Sequence, residues 1–274
     1  MKRAVAVLLV LVVVSSVVSP AMAAQQNKTL SSGQIKKIWD EWPHKNGEVR
    51  ILWTQYTHQW IAFKAGEAMN MGQPYLTIFW NYSAAPDDED WGWDRFYKHV
   101  YDPYYNWGGA PDACKEKVDS AIYYAVWGGD LEMAYQELGR ASHYLMDVGN
   151  PYHSSLWPPD KVRHDFYESL VHSKFDDQDS WGLKSIAYNA PLISISDPKQ
   201  AVKDLASYSR QYRDELDSLI KIDPYTNTPY IPPENLDQVK QITQDLVRKT
   251  AGYVKGLIGY YNENAYSTPL GVSK

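Results

Sequence analysis

The sequence predicts an all-α fold, a single domain of several helices, and three observations carry that prediction. Apolar residues recur at helical spacing in most of the chain, most clearly as Leu131, Ala134, Leu138, Ala141, Leu145 and Val148. Helix stops of the glycine and proline kind separate the periodic segments, as at Gly128-Gly129 and at Gly149-Asn150-Pro151. Only residues 76–79 and 192–195 read as strands, and both are short.

Taken in order, residues 1–23 read as a secretory signal peptide. Lys2 and Arg3 precede a run without polar residues, and Ala21-Met22-Ala23 is a small-x-small cleavage site. The rival is an uncleaved membrane anchor, since Ser15 and Ser16 interrupt the apolar run only weakly. Residues 24–52 are a pro-segment or an added first helix, with a helix at 30–42 capped by Ser31 or Ser32 and a polar break at 43–48. The folded domain then occupies 53–262, and 263–274 form a tail.

Residues 51–71 carry Trp53, His58, Trp60, Ile61, Ala65 and Met69 at helical spacings, which puts His58 near a helix start. Residues 73–112 lack periodicity and read as one long loop. Loops of that length inside a domain are functional or disordered, and the density of Trp and Tyr argues against disorder. A helix at 113–126 and a turn at Gly128-Gly129 follow, and Asp130 caps the central helix. Further helices are expected at 161–175, at 198–222 behind Asp197, and at 234–261, with a turn-rich loop at 223–233.

Composition narrows the chemistry. Without Lys2 and Arg3, 25 basic residues remain against 33 acidic ones, a net charge of −8, which opposes a long polyanion on charge alone. The single cysteine, Cys114, cannot form an internal disulfide, so a secreted chain of this kind relies on its core and on metal held by His, Asp and Glu. Asn27-Lys28-Thr29 and Asn81-Tyr82-Ser83 are glycosylation sequons.

Residues 141–168 concentrate that chemistry. His143 and Asp147 stand at i, i+4, as do His164 and Glu168, and His153 follows the turn between them. A lone histidine is ordinarily a core or surface residue. Two imidazole–carboxylate pairs on neighbouring helices, off the apolar stripe, are metal-ligand chemistry.

The pattern His143-x3-Asp147-x5-His153 followed by His164-x3-Glu168 resembles the zinc-dependent phospholipase C family of secreted bacterial enzymes, which is related to fungal single-strand-specific nucleases. Thr57-His58-Gln59-Trp60-Ile61 resembles the family's early histidine segment. Pro86-Asp87, Phe96-Tyr97-Lys98-His99 and Tyr101-Asp102-Pro103 resemble its aspartate and histidine loop, and Thr250-Ala251-Gly252-Tyr253-Val254 its last helix. The resemblance implies three zinc ions, two at minimum. Asp87, His99, His143 and Asp147 would hold the first, and His153, His164 and Glu168 the second. The third would lie between Asp147, His58 and the free amine and carbonyl of Trp53. Trp53 stands five residues before His58, a spacing similar to the fungal nucleases, and cleavage after Leu52 would have to free its amine.

The resemblance further implies phospholipase C activity at a membrane interface. A zinc-bound hydroxide would release a phosphorylated head group and diacylglycerol, with Asp87 as general base as well as ligand. Glu168 resembles the phospholipases, where the nucleases place aspartate. Phe96 resembles a residue that packs on the choline head group, and Asp88 stands where some of those enzymes have tyrosine, so both are expected to contact substrate. Trp80, Tyr82, Trp91, Trp93, Tyr101, Tyr104, Tyr105 and Trp107 around these loops suit a lipid interface, stacked bases or interhelical packing. The alternatives are a single-strand nuclease or nucleotidase of the same fold, and a zinc-stabilised binding protein without activity. No protein partner is inferred.

Overall fold

A computed structural model describes residues 29–41, 55–176 and 178–266. Twelve α-helices are present among them: α1 (Ser32–Glu41), α2 (Gln55–Ala68), α3 (Tyr75–Tyr82), α4 (Pro86–Glu89), α5 (Gly92–Tyr97), α6 (Ala110–Tyr123), α7 (Leu131–Asp147), α8 (Lys161–Asp176), α9 (Leu183–Asn189), α10 (Pro198–Arg210), α11 (Arg213–Leu219) and α12 (Leu236–Tyr266). The described strands are β1 (Lys221–Ile222) and β2 (Pro229–Tyr230), an antiparallel pair with Lys221 opposite Tyr230. The fold is all-α, as the sequence predicts.

Helix α7 is the axis of the molecule. Asp130 caps it, its carboxylate accepting a hydrogen bond from the Met133 N–H at 3.0 Å. The apolar stripe predicted for it is buried from Ala134 onward, and every residue from 141 to 150 is buried as well. His143 and Asp147, on the flank of the stripe, are therefore also out of solvent, and buried polar groups require partners. α3, α6, α10 and α12 surround α7. Gly139 admits α3 closely, since a Cβ there would lie 2.8 Å from the Phe79 carbonyl oxygen. That contact brings the end of α3 alongside His143.

A second, smaller core lies beside the main one. Leu30 and Ile38, flanking and within α1, are buried against Phe96, Val100 and Leu156. Trp39 of α1 packs on Trp93 and Phe96 of α5 at ring-centroid distances of 5.5 and 5.6 Å.

Four sequence expectations are corrected. Residues 73–112 hold three short helices, α3 to α5, and the start of α6 rather than one loop, because four- to eight-residue helices display too few turns for a periodicity to register. Residues 76–79 lie within α3, and 192–195 form no strand. The helix expected at 198–222 breaks at Gln211 and Tyr212 into α10 and α11, and its last two residues are β1. Helix α9 was not anticipated. The expected signal peptide or anchor and Trp53 lie outside the described residues. Among the described residues no helix is long and apolar enough to cross a membrane.

Candidate metal centre

Six segments converge on one buried cluster. α2 brings His58, α4 brings Asp87, the segment after α5 brings His99, α7 brings His143 and Asp147, the turn after α7 brings His153, and α8 brings His164 and Glu168. All eight side chains are buried. Asp147 is the hub. Its Oδ1 lies 3.1 Å from His58 Nε2, and its Oδ2 lies 2.8 Å from His99 Nδ1 and 3.2 Å from His143 Nε2. Asp87 Oδ1 stands 3.5 Å from His143 Nε2 and 3.9 Å from His99 Nδ1. In the second group, Glu168 Oε1 is 2.9 Å from His153 Nε2 and 3.2 Å from His164 Nε2.

The outer hydrogen bonds fix how these rings face. His143 Nδ1–H donates to the Ser83 carbonyl at 2.9 Å, and His153 Nδ1–H donates to the His99 carbonyl at 2.9 Å. His164 Nδ1–H donates to Asp165 at 2.9 Å, and His99 Nε2–H to Asp90 at 3.2 Å. Each ring thus turns its other nitrogen inward. His99 Nδ1 and His143 Nε2 meet at 3.0 Å, and His153 Nε2 and His164 Nε2 at 3.2 Å. Nitrogen lone pairs that close repel unless a proton or a cation lies between them. Two buried carboxylate oxygens, Asp87 Oδ1 and Glu168 Oε2, also have no hydrogen-bond donor. The donor set therefore fits divalent metal, in three groups of three ligand atoms: His58–Asp87–His143, His99–His143–Asp147 and His153–His164–Glu168.

Electrostatics agree with this geometry. Burial alone would lower the His99 pKa, but Asp147, Asp90 and Asp87 outweigh it and hold it at about 9. Burial is likewise outweighed at His164, where Glu168 and Asp165 raise the pKa to about 9. Burial opposes ionisation of Glu168, yet His164 and His153 bring its pKa down to about 2. Without a cation, protons therefore occupy the positions between the carboxylates. For both histidines the folded pKa exceeds the ordinary 6.5, so protonation stabilises the cation-free fold below that value and the contribution is lost as pH rises through about 9. Zinc must displace those two protons. Each ion displaces one of them, so the apparent affinity of each site should rise about 10-fold per unit of pH between about 7 and 9. Calorimetry of zinc binding in buffers of different ionisation enthalpy should accordingly register proton release.

The remaining predicted residues are placed less simply. Asp88 is exposed on α4 and accepts a hydrogen bond from Gln55 Nε2 at 2.8 Å. Phe96 is wholly buried in the second core beneath Trp39, so its ring presents no face to a head group while α1 is in place. Of the eight aromatic residues expected near the site, Trp91 and Trp93 are exposed, at 77% and 45%, whereas Tyr101 is buried. Sequence reasoning passed over Asp90, Tyr144, Asp165 and Asn150, which support the ligands from behind. Asn150 was read only as part of the helix stop, yet its amide donates to Glu168 Oε1 at 2.9 Å. Asp90 and Asp165 each stand within a few residues of a ligand, a signal too common among acidic residues to single them out.

No protein-family model matches the sequence, and no curated protein matches it. Solved structures do. An alpha-toxin from Clostridium absonum superposes with a TM-score of 0.50 at 14% identity, over 89% of this chain and 65% of the toxin. An alpha-toxin from an avian strain of Clostridium perfringens gives a TM-score of 0.49 at 15% identity, over 86% of this chain and 66% of the toxin. The chain thus spans about two thirds of the length of the toxins it matches. The resemblance to the zinc-dependent phospholipase C family read from the sequence holds at the level of the fold.

Proposed function

We propose that the chain is a secreted, zinc-dependent phosphodiester hydrolase, and that its substrate is a phospholipid cleaved in the manner of a phospholipase C. The observation that carries this reading is the inward convergence of five imidazole nitrogens and three carboxylates, with the outer nitrogens of His99, His143, His153 and His164 tied back. A histidine-rich set with carboxylates suits zinc. Asp87, His99, His143 and Asp147 would hold one ion, His153, His164 and Glu168 a second, and His58 with Asp147 part of a third. Bound there, zinc would supply a water acidified towards neutrality and positive charge for the phosphoryl oxygens.

The protein's own groups do the rest. Asp87 has a buried oxygen free of donors, and burial raises its carboxyl above the usual range, the condition under which a carboxylate accepts a proton readily. It would take the proton of the attacking water as the P–O bond to the diacylglycerol oxygen breaks, and that proton would pass on to the leaving oxygen. Ser83, Asp165 and the His99 carbonyl hold the rings in place throughout. Exposed Trp91 and Trp93, just after the short helix that bears Asp87, suit entry into a lipid interface.

Helix α1 belongs to the segment read as a pro-segment, and it covers Phe96. If cleavage after Leu52 releases it, Phe96 and Trp93 lose a covering ring and Trp53 gains a free amine for the third ion. N-terminal sequencing of the secreted active form should then begin at Trp53, and a chain that begins at Gln25 should bind one zinc fewer. Full activity and full zinc in a chain beginning at Ala24 or Gln25 would remove the Trp53 amine from the site.

The substrate assay compares release of phosphorylated head group from mixed phosphatidylcholine and phosphatidylethanolamine dispersions with cleavage of single-stranded DNA, at equal enzyme and zinc. Faster phospholipid turnover is expected. Rapid DNA cleavage without head-group release would make the protein a nuclease, and turnover of neither with zinc fully bound would make it a binding protein.

A further inference from the structure

We propose that Asp90 is a positioning residue of the metal centre, fixing the His99 ring so that Nδ1 faces the cluster, an inference that rests on the metal reading above. Asp90 Oδ2 accepts from His99 Nε2–H at 3.2 Å and from the Tyr144 hydroxyl at 2.7 Å. Its Oδ1 accepts from Lys98 Nζ at 3.2 Å. The carboxylate is thus held from three sides, by α7, by the residue next to His99 and by His99 itself. The Tyr144 ring also stands edge-on to the His99 ring, 5.3 Å between centroids, which leaves the imidazole little freedom to turn.

The location of Asp90 couples two ligands. It closes α4, its N–H bonding the Pro86 carbonyl, so one short helix carries both Asp87 and the anchor of His99. His99 in turn serves both ion groups, since its ring meets His143 and Asp147 while its carbonyl accepts from His153 Nδ1–H. A metal-binding imidazole whose outer N–H donates to a carboxylate is held in one tautomer and is a better ligand for it. Loss of that carboxylate frees the ring to present Nδ1–H to the cluster, where a proton excludes a cation.

Asp90→Asn tests this directly. It keeps the size of the side chain, and its amide facing His99 favours the wrong tautomer. Zinc affinity at the His99 group should fall about 10- to 100-fold in chelator competition, while the zinc at His153, His164 and Glu168 is retained and the metal-free protein still melts cooperatively, at a temperature lowered by loss of the Asp90–His99 pair. Tyr144→Phe, which removes only the hydroxyl, should shift affinity in the same direction by less. Asp94→Asn, which removes the other carboxylate near Lys98, should leave zinc binding unchanged. Wild-type zinc affinity in both Asp90→Asn and Tyr144→Phe would overturn the proposal, as would losses that merely follow unfolding of the metal-free protein. A wild-type chain that binds no zinc at all would instead overturn the metal reading, and this role with it.

Discussion

His143→Ala should lose at least one zinc ion per chain and lower turnover by about 10²-fold or more. The ring contributes to two of the three ligand groups, and replacing even an outer partner of a metal ligand costs about 10- to 100-fold in affinity or activity. The substitution also leaves Asp147 and Asp87 buried with one cationic neighbour fewer. Breaking a buried ion pair from one side costs on the order of 3 to 5 kcal/mol, so the metal-free variant should melt well below the metal-free wild type. Elemental analysis and thermal denaturation with and without chelator check both parts.

Asp87→Asn should lower turnover by about 10²-fold or more with zinc content close to that of the wild type. The amide retains an oxygen that can approach metal, but it cannot accept the proton of the attacking water. Kinetics and metal analysis on the same preparation separate the two roles. Equal loss of zinc and of activity would make Asp87 a ligand only, and full activity would remove it from the chemistry.

How much of this was legible in the sequence follows from how each residue is positioned. The pairs His143–Asp147 and His164–Glu168 were readable because a single geometric rule, one turn of helix, fixes their relation, and both helices have a length that periodicity resolves. His153 was readable because Gly149, Asn150 and Pro151 force a turn before it. Asp87 and His99 rested on resemblance alone, since α4 and α5 are too short to declare themselves. The cover over Phe96 was not legible because it comes from Ile38 and Trp39, far away in sequence, and no local pattern announces such packing. The run Leu76-Thr77-Ile78-Phe79 is as apolar and β-branched as a strand, and its packing as a helix against Gly66 of α2 and Gly139 of α7 is a contact between distant segments that no local pattern reveals. Asp90 and Tyr144 were hidden for the same reason: their role is a contact across 54 residues.

The central claim is that the inward-facing imidazoles and carboxylates form a metal centre. Its most direct test is the zinc content of protein purified without chelator, measured alongside phosphodiester hydrolysis. Two or three zinc ions per chain are expected, with activity lost on chelation and restored by zinc. Active protein that contains no zinc would contradict the account.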